Sequence, residues 1–80
     1  MIEKIMNITG ADRQTASMLA IRFCISETTM SFKETSEYVG IGRDPLYTLS
    51  TRGKKRMGYS KAFRDMYKKV KSEIITPKNK

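Results

Sequence analysis

Eighty residues carry sixteen Lys or Arg against eight Asp or Glu, a net charge of +8, and 39% of them are hydrophobic. One cysteine, Cys24, and no histidine exclude an internal disulfide and a zinc shell of the usual kind, and fit a reducing, cytoplasmic setting. No apolar run reaches membrane-spanning length, since Arg22 interrupts the longest one, Met18 to Ile25.

The chain is expected to form one all-α domain, 1–80, of three to five helices. Its first segment, 1–8, brings Ile2, Ile5, Met6 and Ile8 close together. It contains the acid Glu3 and no long apolar core, so it is not expected to be a secretory signal. Three readings stand for it: a helical turn packed on the domain, the same turn packed on a second subunit, or a loosely docked terminus. The first long helix is predicted over 9–27, with Thr9 as its cap and Asp12 favourable in its first turn. Ala16, Leu19, Ala20 and Phe23 make one apolar stripe, while Met18, Ile21 and Ile25 lie off it. So wide an apolar surface implies either a central helix touched on several sides or a flank buried in a dimer. Cys24 falls inside this band and reads as a small packed hydrophobe.

Residues 31–52 are predicted to be two short helices joined by a tight turn. Ser31 and Glu34 have the S-x-x-E spacing of a capping box, and Phe32, Thr35, Ser36 and Val39 share one face of the helix that follows. Gly40 offers the left-handed conformation in which a helix ends most easily. Ile41 is expected to plug the angle between the helices. Asp44 and Pro45 are read as N-cap and first residue of the second helix. Leu46 and Leu49 then face inward, leaving Tyr47, Thr48, Thr51 and Arg52 to point out. Tyr38, beside the core face, is read as a half-buried packing tyrosine, with a phosphate contact as the alternative.

A basic loop is predicted over 53–58, because glycines bracket Lys54, Lys55, Arg56 and Met57. No alternating β-branched pattern is present, so a β-hairpin wing is not expected. The last helix is predicted over 59–75, with Ser60 as cap and Phe63, Met66, Tyr67, Val70 and Ile74 recurring at helical steps. Pro77 should stop it, leaving 76–80 as tail.

The pattern over 31–52 resembles the helix-turn-helix of DNA-binding proteins, with three departures. Thr35 stands where an apolar residue is usual, Gly42 where Ser is usual, and Pro45 within the first turn of the second helix. The order of elements looks like that of small DNA-binding proteins of phages and mobile elements. Ser31 to Leu49 is similar to excisionase-type factors, and the order of helix-turn-helix and final helix to the DNA-recognition part of small terminase subunits.

What the resemblance implies is sequence-specific binding of double-stranded DNA, with the second helix in the major groove. Charge placement agrees. Residues 43–71 hold ten Lys or Arg against two acids, the footprint of a polyanion site, and nucleic acid suits it better than an acidic membrane. Arg43, Tyr47, Thr48, Thr51 and Arg52 are the expected groove face, with Arg43 reading a guanine or clamping a phosphate. Lys54, Lys55 and Arg56 are the expected phosphate contacts. The expected role is a small transcriptional regulator associated with the nucleoid, acting as a homodimer. The alternatives are a recombination or packaging factor, or an adaptor whose flanking helices hold a protein partner. No catalytic cluster and no cofactor site is expected.

Overall fold

The computed structural model describes residues 1–74. These form five helices: α1 (Ile2–Thr9), α2 (Arg13–Glu27), α3 (Phe32–Val39), α4 (Arg43–Tyr59) and α5 (Lys61–Glu73). Among the described residues there is no strand, and no helix is long and apolar enough to cross a membrane. The expected all-α domain containing two short-turn-linked helices is therefore the fold found.

The helix predicted over 9–27 ends at Glu27 as expected but starts later, at Arg13, with Asp12 and not Thr9 as its cap. Thr9 is the last residue of α1, where its hydroxyl donates to the Ile5 carbonyl at 2.8 Å. Gly10 then turns the chain left-handed at φ 74°, and its N–H closes on the Met6 carbonyl. The N-cap of α2 is Asp12, whose carboxylate accepts from the Thr15 N–H at 2.9 Å. The sequence TGAD thus ends one helix and starts another, because a glycine with positive φ breaks the hydrogen-bond ladder and an aspartate two residues later restarts it.

α2 is the central helix and packs against each of the other four. This accounts for its wide apolar band: Ala16, Met18, Leu19, Ala20, Ile21, Phe23 and Cys24 are all buried, leaving Ile25 partly on the surface. A helix buried nearly all round shows no amphipathic stripe. The 1–8 segment docks as α1, with Ile5 buried against α2 and α5.

α5 closes the domain with Phe63, Tyr67 and Val70, while Met66 and Ile74 pack at its edge. Its N-cap is Ser60 as expected, accepting from the Phe63 N–H at 3.1 Å. The helix begins at Lys61 rather than Tyr59, which belongs to α4. The predicted end at residue 75, the Pro77 stop and the 76–80 tail lie outside the described residues. Between α2 and α5 the Tyr67 hydroxyl donates to Glu27 Oε2 at 3.1 Å, and Lys71 pairs with the same oxygen at 3.4 Å. Burial, chiefly, pushes the Tyr67 hydroxyl up to about 12.

The largest correction concerns 53–58. There is no basic loop: α4 runs unbroken for seventeen residues through both Gly53 and Gly58. Gly53 is buried where α4 crosses α2, and a side chain there would meet Met18 and the Arg22 Cγ at 3.4–3.5 Å. Tertiary packing therefore decides the conformation of this stretch against the weak helix propensity of glycine.

Candidate nucleic-acid interface

α3 starts at the capping box read from the sequence. Ser31 Oγ accepts from the Glu34 N–H at 3.1 Å, and the Ser31 N–H donates to Glu34 Oε1 at 2.8 Å. The helix ends at Gly40, φ 74°, whose N–H donates to the Ser36 carbonyl. Thr35 is fully buried at its unusual position, and its hydroxyl is satisfied by donating to the Ser31 carbonyl at 2.9 Å. Ser36 donates across the turn to the Ile41 carbonyl at 2.5 Å. The turn is therefore held by the Ser36 hydroxyl as well as by the half-buried Ile41.

α4 starts two residues earlier than the Asp44–Pro45 reading placed it. Its N-cap is Gly42, with extended backbone and no side-chain cap bond, and the Leu46 N–H donates to the Gly42 carbonyl at 2.9 Å. Asp44 is the second helical residue and Pro45 the third. The first turn of a helix has no internal acceptors for its N–H groups, so proline fits at its third position as well as at its first. With proline there, the N–H that a capping side chain usually engages is missing, and a glycine cap forgoes little. Asp44 still complements the positive end of the helix dipole.

The outward face matches the sequence reading. Leu46 is fully buried and Leu49 packs against the core, while Arg43, Tyr47, Thr48, Thr51, Arg52, Lys54 and Lys55 are exposed. At about 100° per residue, Thr48, Thr51 and Lys55 form one row along the middle of that face. Among the described residues, none of Arg43, Arg52, Lys54, Lys55 and Arg56 makes an ion pair; the pairs found are Glu3–Arg13, Lys61–Asp65 and Glu27–Lys71.

The helical form of 53–58 redistributes the three adjacent cations. Lys54 sits near the Tyr47 edge and Lys55 continues the threonine row. Arg56 turns back toward the core: it is partly buried, with its guanidinium carbon 5.0 Å from the centre of the Phe63 ring. It thus serves the α4–α5 junction, which is also fixed by Arg64 Nη1 donating to the Met57 carbonyl at 3.0 Å.

Two aromatic expectations are corrected. Phe32, grouped with Thr35, Ser36 and Val39 on one face of α3, is 37% exposed and packs edge-on against Tyr47, with ring centroids 6.4 Å apart. Its ring bridges α3 and α4 outside the core. Tyr38, expected half-buried, is 56% exposed, because the inner face of this two-turn helix is filled by Thr35 and Val39.

A cleft of about 370 Å³ went unseen in the sequence. The start of α2 supplies one wall, with Asp12, Gln14 and Thr15, and the second half of α4 supplies the other, with Arg52, Lys55, Arg56 and Tyr59. The last four are spaced i, i+3, i+4, i+7, a signal that shows itself once 53–58 is taken as helix. Asp12 is held below the usual carboxylate range, mainly by its hydrogen bonds from Thr15, with Arg56 adding to the effect.

Compared with family models, curated proteins and solved structures, the chain matches none of them.

Proposed function

We propose that the chain binds double-stranded DNA through the α3–α4 unit, with the first half of α4 in the major groove, as a small transcriptional regulator of phage or mobile-element type. The observation that carries this reading is the outer face of α4. It combines hydroxyls at Thr48, Thr51 and Tyr47 with the cations Arg43, Arg52, Lys54 and Lys55, none of them ion-paired among the described residues. Hydroxyls and threonine methyls suit base edges, and unpaired cations suit phosphates. In this reading the protein resides with the nucleoid, and a homodimer sets its two α4 helices about 34 Å apart on a two-fold site.

Selection from random duplexes at two salt concentrations, with the bound fraction sequenced, tests it. The expected result is an enriched motif whose symmetry reports the number of subunits. Thr48→Ala should then weaken the enriched site more than random sequence, by about 1–3 kcal/mol if Thr48 reads a base. Equal weakening on both would remove base reading from Thr48, and selection without enrichment would remove sequence specificity from the chain.

A further inference from the structure

Arg52, Lys55 and Arg56 converge on the cleft against the start of α2, and none of them has a carboxylate partner in an ion pair among the described residues. The acid on the cleft wall, Asp12, is committed to its own helix through the Thr15 N–H. Arg56 is held in place by the Phe63 ring, so one cation of the three is pre-positioned. Gln14 adds an amide and Tyr59 a largely exposed ring at the rim. Three cations against one engaged carboxylate, in a concave site with hydrogen-bond donors, fit an oxyanion with several acceptor atoms.

We infer that this cleft is a binding site for a phosphate group. Two sources share that chemistry: a backbone phosphate of a duplex already held by α4, which rests on the DNA-binding reading above, and a free phosphorylated small molecule, which does not. Arg52 and Lys55 are exposed on the same helix that carries Thr48 and Thr51, so a duplex along α4 would bring its backbone past the mouth of the cleft.

The test is an NMR titration of the isotope-labelled 80-residue chain with inorganic pyrophosphate and, separately, with a short duplex. Gln14→Glu is the variant. It places a carboxylate in the cleft without altering the outer face of α4, and an acid in the first turn of α2 favours that helix, so folding is retained. With a backbone phosphate in the cleft, the duplex moves the Gln14 and Thr15 amides and the Arg52 side-chain N–H. Gln14→Glu then suppresses those shifts and flattens the slope of log affinity against log salt by about one unit. With a free ligand, pyrophosphate moves the same signals and the variant weakens it several-fold; that result supports the site even if the duplex binds nowhere, in which case the DNA-binding reading falls alone. Cleft signals unmoved by both probes while Thr48 and Thr51 respond to the duplex would overturn the phosphate site and leave the DNA-binding reading standing.

Discussion

Asp12 shows how much a single side chain decides in this fold. Its carboxylate accepts from the Thr15 N–H, and that bond separates α2 from α1 as much as Gly10 does. The same bond, chiefly, holds its carboxyl below the usual carboxylate range. Because the folded value is lowered, the stabilisation is fully present above the unfolded value of about 3.9 and is lost as pH falls through the lowered folded value. Asp12→Asn keeps a competent cap at neutral pH but does not titrate. Acid unfolding followed by circular dichroism should therefore be less steep for the variant below about pH 4. An identical acid limb in both proteins would show that Asp12 is not coupled to folding. Thr35 and Ser36 act at the same scale: each carries a hydroxyl on the short helix α3, and each donates it locally to a carbonyl.

At the scale of elements, features set by neighbours in sequence were legible and those set by distant contacts were not. The Ser31–Glu34 capping box, the left-handed Gly40, the Ser60 cap and the Phe63–Tyr67–Val70 stripe depend on residues within one or two turns, and all are present. The outward assignment of Thr48 and Thr51 followed from the same local periodicity. Continuity through 53–58 depends on Gly53 meeting Met18, thirty-five positions earlier, and no local pattern reports that contact. The cleft stayed hidden for the same reason, since its two walls come from α2 and α4. The two glycines of α4 now make distinct predictions. Gly58 is exposed, and a methyl group added there would have nothing within 4 Å, so Gly58→Ala should stabilise by about 0.5–1 kcal/mol in urea melts. At Gly53 a branched side chain must force α2 away, and Gly53→Val should destabilise by about 1–3 kcal/mol. If Gly58→Ala gave no gain, the stretch would not be helical in solution.

The whole molecule is organised around α2, and its core is small. Phe63 is its largest fully buried side chain and touches the helix junction through Arg56 as well as the core. Phe63→Ala should cost about 3–5 kcal/mol. A domain of this size has a total stability of about 4–12 kcal/mol, so the variant should unfold at much lower urea or be unfolded outright. A loss below about 1 kcal/mol would mean that α5 contributes little to closing the core. The charge is also arranged at this scale: five of the eight acids lie before residue 43, while the exposed cations of α4 belong to the excess that begins there.

Cys24 is 1% exposed on α2, the helix that every other helix covers, and burial pushes its thiol above the ordinary range. While the fold is closed, burial shields this sulfur from oxidants and alkylating agents, and the raised thiol disfavours the thiolate, which is the reactive form. Opening the core exposes it, and the chain offers no second cysteine with which to pair. In oxidising solution two opened chains can join through this one sulfur. The resulting crosslinked pair could not repack either core around its sulfur. Transient unfolding, reversible under reducing conditions, would there become a ratchet, with covalent dimers accumulating as a tally of past openings.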